Sequence, residues 1–471
     1  MGNTSSAYET TQCRVTLPHQ AGTFQGQQYD TKSRRYANIP YACPPTGDLR
    51  WRKPRPLPKD YSYSASDGAP FDATNFGKVC PQPNYSETIE NKNSGDGVSE
   101  DCLRLNIWTP CKEESSDGGA DPKWPVMVWF HGGWFQIGDP CHEASMDPVE
   151  LIGEIKAVFV AVGFRLNVFG FLAGSALQEE SSTGGAGNYG LWDQRLAMDW
   201  IYDNIAAFGG DPQNIVLTGR SAGAYSVQAQ TLYDFRGKLE SSERNRFRRL
   251  VMYSNAIPAQ PKKVTDCQEQ FDELCNHFKI PCGADGAEKL RRLREIPAGT
   301  LIEAIMQLRN HTFRPVTDGE FIHDGMFEYY RSGAFAAEFK RRGMRLYIGE
   351  VLNEDSLYAV TNGPEANLDS LKAQVSNYYA PEVTSRVLEA YKMPSTDNKR
   401  DWEAVFGHIV ADGQVRVPSR FLVNSLLAHG VSIQDVWRYR ISYRMSFITE
   451  KVAPASFGVT HAMDRPIFRY V

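Results

Sequence analysis

The sequence predicts an α/β fold, a mostly parallel sheet with helices on both faces, and three observations carry that prediction. Short apolar or aromatic runs recur along the chain, helical stretches separate several of them, and a sharp glycine-flanked turn joins one run to a helix. The runs are PVMVWF (125–130), AVFVAVGF (157–164), NIVLTG (214–219), RLVMYS (249–254), RLYIGE (345–350) and VWRYRISY (436–443). Short, nearly uninterrupted apolar runs suit strands that are covered on both faces, which is how parallel strands are buried. A length of 471 residues allows one or two domains. The polar stretches at 91–101, 112–123 and 178–187 read as surface loops rather than linkers, and no internal repeat is present, so one domain over 1–471 is expected.

The helices follow from periodicity. In GLWDQRLAMDWIYDNIAAFGG, Trp192, Leu196 and Trp200 recur every four residues, as do Ala197, Ile201 and Ile205, and Gly209 and Gly210 stop the helix. Its apolar face is expected to be buried. Between 255 and 345 the pattern turns more helical and charged, as in EQFDELCNHF and AEKLRRLREI, and reads as a helical cap-like insertion at one end of the sheet.

Composition narrows the function. Hydrophobic residues make up 41% and charged residues 23% of the chain, enough for a sizeable core, and the net charge of -5 gives no footprint for nucleic acid. The basic run RNRFRRL (244–250) reads as a solvated helix face. No apolar run approaches the roughly 18 residues that span a bilayer, so no integral membrane segment is expected. The start, MGNTSSAYETTQ, lacks the basic and apolar parts of a secretory signal and fits the N-myristoylation pattern, with Gly2 after Met1 and Ser6 in the required place. The expectation is a cytoplasmic protein whose one route to a membrane is acylation at Gly2. Nine cysteines cannot all pair within the chain, and without a secretory signal reduced thiols are the default. CNHFKIPC (275–282) lacks a fourth ligand nearby, so neither a metal nor an organic cofactor is expected. Nothing in the sequence sets the oligomeric state.

The chemistry centres on NIVLTGRSAGAYS. A strand runs into Gly219, Ser221 and Gly223 in the GxSxG pattern, and a helix-compatible stretch follows. Such a turn leaves the serine strained and exposed at the C-terminal edge of the sheet. Glycines two residues to either side permit it, because a β-carbon there would collide with a neighbouring strand or helix. A serine hydroxyl needs a base. In the α/β-hydrolase order the acid and then the histidine lie C-terminal to the nucleophile, and His461 stands out in FGVTHAMD, a glycine-bearing loop after the last predicted strand. In VWFHGGWFQIG (128–138) a strand runs into His131, Gly132 and Gly133, a loop of the kind whose amides hold an oxyanion.

These residues resemble the type-B carboxylesterases and lipases, relatives of the cholinesterases, with an α/β-hydrolase fold. The resemblance extends to YANIPYACPPTGDLRW (36–51), SEDCLRLNIWTP (99–110), VGFRLNVFGFL (162–172), GNYGLWDQRLAMDWI (187–201) and FGGDPQNIVLTGRSAG (208–223), in family order, and is thinner in the second half, at YIGEVLNEDSLY and FGVTHAMD. It implies a triad of Ser221 as nucleophile, His461 as base and then acid, and Glu354 as the orienting acid, with Asp355 and Glu350 as rivals. It implies an oxyanion hole built by the 132–134 loop and Ala222, from Gly132, Gly133, Trp134 and Ala222. The substrate would be a small-molecule ester.

Departures from the family pattern sharpen the expectation. Trp134 replaces a third glycine and would crowd or roof the acyl site, unless its indole turns into the core. Arg220 stands where a glutamate is common, which disfavours a cationic ester and favours an anionic or phenolic one, with a structural ion pair as the alternative. Cys80 and Cys102 occupy the places of a disulfide in secreted relatives, but a cytoplasmic protein would hold them as two thiols. The chain ends at Val471, soon after His461, and the expectation is a looser histidine loop. Besides ester hydrolysis, the same acyl-serine would serve an acyltransferase or lactone-forming enzyme of specialised metabolism, and a non-catalytic cholinesterase-like binding protein is the reading from another class.

Overall fold

Eleven strands join in one sheet in the order β1-β2-β3-β5-β7-β6-β8-β9-β10-β11, with the short β4 paired to β2. The strands are β1 (Thr10–Leu17), β2 (Gly22–Tyr29), β3 (Ser33–Pro40), β4 (Phe71–Asp72), β5 (Arg104–Pro110), β6 (Trp124–Phe130), β7 (Val158–Val162), β8 (Gly210–Arg220), β9 (Arg249–Tyr253), β10 (Arg345–Val351) and β11 (Val436–Ile441). This computed structural model describes residues 8–17, 22–83, 97–111, 123–140, 148–236, 246–257, 259–450 and 453–464. The acylation pattern at Gly2 and Ser6 lies outside the described residues, as does the start of the basic run at 244; its described part, 246–250, leads into β9 with Phe247 and Leu250 buried rather than forming a solvated helix face.

The six apolar runs all become strands, and from β7 to β11 every pairing is parallel. Alternation explains why these runs read as continuously apolar. Val128, Phe130, Val158, Val160 and Val162 enter one core, while Trp129, Phe159 and Ala161 enter another on the opposite face. Antiparallel pairing governs the other end, β1-β2-β3-β5-β7, which the sequence pattern did not single out. Its first two strands, TTQCRVTL and GTFQGQQY, are rich in polar residues, the first largely exposed and the second half-buried, so no apolar run marks them.

The helix Tyr189–Asn204 forms as its periodicity predicts, with Ala197, Ile201 and Ile205 buried and Trp192 half-buried. A bidentate ion pair sits beside it: the Arg165 Nε and Nη2 donate to the two Asp193 carboxylate oxygens at 2.8 and 2.7 Å. Helices Gln268–His277, Gly286–Glu295, Ala298–Ile305, Met326–Arg331 and Ala334–Arg341 fill the span between β9 and β10. A second helical group follows β10, with a core of its own in which Tyr358, Leu371, Val375, Trp402, Phe406 and Ile409 meet. Between helices Lys399–Ala411 and Val417–Ala428 runs a π-helical turn, Asp412–Arg416.

One expectation is corrected here. Cys80 and Cys102 form a disulfide, with Cα atoms 5.0 Å apart, rather than two free thiols. The expectation came from compartment, whereas the bond depends on how closely the backbone brings the two residues together. Among the described residues no helix is long and apolar enough to cross a membrane.

Candidate active site

The sheet reverses its direction of growth at β6, whose parallel neighbours are β7 on one side and β8 on the other. The crevice beyond the carboxyl ends of such a pair is where open α/β sheets bind ligands. Here it receives the loop after Phe130 and the turn after Arg220.

Ser221 occupies that second turn with φ of 54°, in the left-handed region that costs a non-glycine residue about 1–3 kcal/mol. Its amide donates to the Tyr253 carbonyl at 2.8 Å, which holds the turn, and helix Ala222–Arg236 starts directly behind it. The flanking glycines are sterically required. A β-carbon on Gly223 would lie 1.9 Å from the Phe130 carbonyl oxygen, and one on Gly219 would lie 2.3 Å from the Gly223 carbonyl carbon.

The other loop closes against the serine. A β-carbon on Gly132 would come within 3.3 Å of the Ser221 Cβ, and Gly133 holds φ of 108° with no room for a side chain. Trp134 and Phe135 continue the left-handed course with φ of 55° and 68°. Gln136, which the sequence did not single out, fastens the loop: its Nε2 donates to the Trp134 carbonyl at 3.0 Å and its Oε1 accepts from the Phe313 amide at 3.1 Å. Among the described residues the amides of Gly133, Trp134 and Ala222 have no protein acceptor. His131 is buried and stacks on Phe164 at 4.3 Å, away from any role as a base. The Trp134 indole is half-buried, lining the cleft over Ser221 on one side and meeting the second helical core on the other.

β10 ends at Val351, and Glu354 opens the next helix fully buried. Its Oε1 accepts from the Val351 amide at 2.9 Å, and its Oε2 lies 2.5 Å from the His461 Nδ1. The two rival acids face elsewhere. Asp355 pairs with Arg416, and Glu350 lies 3.9 Å from Arg420 and 3.7 Å from Arg438. The histidine segment is clipped to the glutamate segment: the Asn353 amide donates to the Val459 carbonyl at 2.9 Å, and the Ser356 hydroxyl donates to the Thr460 hydroxyl at 2.8 Å.

Ser221 and His461 share no direct hydrogen bond among the described residues. The buried hydroxyl of Tyr358 stands between them, 3.5 Å from the His461 Nε2 and in hydrogen-bonding contact with the Ser221 side chain. Burial, with the Glu354 carboxylate adding to it, holds this phenol well above the ordinary tyrosine range, so it stays protonated. Its position one helical turn after Glu354 was the signal available in the sequence.

Arg220 does not line the cleft. Its guanidinium is buried, with Nε 3.4 Å from the Asp464 carboxylate and its carbon 5.5 Å from the Trp129 ring centre. The placement matches the ion-pair alternative: the charge is used internally, where it ties β8 to the segment following His461. Among the described residues no cluster of three metal-ligating side chains occurs.

A mostly parallel open sheet, a strand-serine-helix turn and a glycine loop at the switch point define an α/β-hydrolase. The chain belongs to the carboxylesterase family, whose model matches residues 11–470, and is a carboxylic ester hydrolase by that membership. It is 41% identical over 449 residues to an uncharacterized esterase/lipase of Schizosaccharomyces pombe, covering 93% of this chain and 80% of the relative. A carboxylic ester hydrolase of Gibberella moniliformis is 38% identical over 442 residues, 92% of this chain and 78% of that protein. Lipase 4 of Diutina rugosa is 31% identical over 354 residues, 69% of this chain and 60% of the lipase.

Proposed function

We propose that the protein cleaves small-molecule carboxylic esters through an acyl-serine intermediate on Ser221, with His461 as base and Glu354 as its orienting acid. The observation that carries this reading is the buried 2.5 Å contact between the His461 Nδ1 and the Glu354 Oε2, beside a serine held at a left-handed turn. The carboxylate keeps the imidazole in the tautomer whose Nε2 accepts a proton.

Ser221 exchanges its contact with Tyr358 for the His461 Nε2, loses its proton to that nitrogen and attacks the ester carbonyl. The carbonyl oxygen becomes an oxyanion received by the Gly133, Trp134 and Ala222 amides. The alcohol leaves with the proton from Nε2. Water then attacks the acyl-serine, passes its proton to Nε2, and the carboxylate departs as Ser221 recovers its hydrogen. Attack by an alcohol or amine in place of water would make the protein an acyltransferase with the same residues.

Turnover of p-nitrophenyl butyrate and labelling by a fluorophosphonate, both abolished by Ser221→Ala, are the expected results. Labelling without turnover on simple esters would favour the acyltransferase reading. No labelling of the folded protein would overturn the acyl-serine and favour a binding protein.

A further inference from the structure

Arg220 does not reach the cleft, but another cation does. Arg314 lines the cleft over Ser221, together with Trp134, Tyr358 and Tyr378, and it also lines an adjoining chamber. Lys262 stands in the wall of that chamber, and no aspartate or glutamate is among the residues lining either space.

The two half-buried cations differ from several fully buried basic groups of the molecule. Arg165 pairs with Asp193, Arg50 with Glu100 and Arg195 with Asp234. Arg314 donates from Nη2 to the neutral Gln414 Oε1 at 2.8 Å and lies 5.0 Å over the Tyr378 ring, while the Lys262 ammonium donates to the Ser376 carbonyl at 2.5 Å. Neither joins an ion pair among the described residues. Burial holds the lysine below its usual range and the Arg314 charge adds to that, while Cys267, in the same wall, and Asp266 and Glu269, outside it, act the other way. Two mutually repelling cations without a directly bonded carboxylate are unfavourable in a partly desolvated wall, and a ligand carboxylate there would offset that cost. If the task were only to hold Gln414 and Tyr378 in place, a neutral donor would serve. The Gln414 that orients Arg314 belongs to the π-helical turn, a distortion that often marks functional sites.

We propose that this chamber selects esters bearing a carboxylate, such as monoesters of dicarboxylic acids, with the carboxylate bound by Arg314 and Lys262 while the ester carbonyl reaches Ser221. The inference rests on the acyl-serine reading above and names its substrate class. A planar guanidinium already held at one nitrogen offers its remaining N–H groups to a carboxylate in the geometry that group accepts best.

The test measures kcat/KM by pH-stat on two matched pairs. Monoethyl adipate against ethyl hexanoate places the charge on the acyl side, and the acetate ester of 6-hydroxyhexanoate against hexyl acetate places it on the alcohol side. The charged ester of at least one pair is expected to be preferred about tenfold or more, the scale of one charge-assisted hydrogen bond. Arg314→Gln and Lys262→Met should each lower that ratio severalfold, and Arg314→Lys, which keeps the charge but not the planar fork, should lower it less than Arg314→Gln. A ratio at or below one in both pairs, with the neutral esters hydrolysed, overturns the proposal while leaving the acyl-serine reading intact. So does a preference untouched by both Arg314→Gln and Lys262→Met. Loss of hydrolysis on all four esters, together with no fluorophosphonate labelling, overturns both.

Discussion

Replacing Glu354 by glutamine separates the proposed triad from its rivals. The native carboxylate is fully buried and uses both oxygens, one on the Val351 amide at 2.9 Å and one on the His461 Nδ1 at 2.5 Å. In the Glu354→Gln variant the side-chain carbonyl keeps the Val351 amide, which turns the NH2 group toward Nδ1. The imidazole must then accept at Nδ1 and carry its proton on Nε2, the wrong tautomer for deprotonating Ser221, and an imidazolium would have no carboxylate beside it. A fall in kcat of about 10³–10⁴-fold is expected, roughly 4–5.5 kcal/mol of transition-state stabilisation, the scale seen when a triad acid is made neutral. KM should change little, because the carboxylate does not line the cleft. The assay is steady-state hydrolysis of p-nitrophenyl butyrate beside the rate of fluorophosphonate labelling, which should fall in parallel, with circular dichroism confirming the fold. Asp355→Asn and Glu350→Gln should keep kcat within about threefold, because those acids face Arg416 and Arg438. A Glu354→Gln enzyme retaining more than about a tenth of the activity, or an equal loss in Asp355→Asn, would refute the assignment.

Tyr358→Phe removes a hydroxyl that competes with His461 for the serine, so kcat should rise by about 2–10-fold, the worth of one hydrogen bond of about 0.5–1.5 kcal/mol. A large fall would instead place the phenol in the proton path. Trp134→Ala widens the cleft over Ser221 and should shift the preferred acyl chain to greater length across a p-nitrophenyl acetate-to-octanoate series; an unchanged profile would show that the indole does not bound the acyl group. Asp193→Ala leaves the buried Arg165 guanidinium without its bidentate partner and should cost about 3–5 kcal/mol, read from urea unfolding. Glu180 donates no proton to Arg294 but accepts from it, and that pairing holds its carboxyl below the ordinary value of 4.5. A depressed folded value stabilises above the unfolded one and is lost as pH falls through the folded one, so the stability deficit of Glu180→Gln, present at neutral pH, should shrink below about pH 4.

The turn at Ser221 and the 132–134 loop were readable in the sequence because each sits in a short segment whose backbone course is set by its own residues, whereas His461 was singled out chiefly by the family resemblance. Gly219 and Gly223 are needed within a few residues of the serine they flank, and Gly132 and Gly133 immediately follow the strand that carries them. The parallel strands were equally legible, since each carries a short run rich in apolar or aromatic residues, and those of β6 and β7 pack into cores on both faces of the sheet. β1 and β2 were not, since their accessible faces carry glutamine, arginine and threonine.

What the local pattern could not decide was which of several similar groups meets a partner distant in sequence. Three acids lie between 350 and 355, and only the docking of the 457–461 segment on Asn353 and Ser356 selects Glu354, because neighbours on a strand or a helix start point in different directions. The same holds for the cations. By sequence, Arg220 adjoins the nucleophile and Arg314 is remote from it, yet Asp464 draws the first into the interior and the helical segment between β9 and β10 places the second at the cleft. The bridging of Cys80 and Cys102, and the Tyr358 hydroxyl between serine and histidine, belong to the same class. Sequence alone determined the backbone motifs, since sterics and hydrogen bonding act within a few residues. The partners of charges, thiols and hydroxyls were decided by tertiary structure, because those interactions act through space between segments that only the folded sheet and its helical layers bring together.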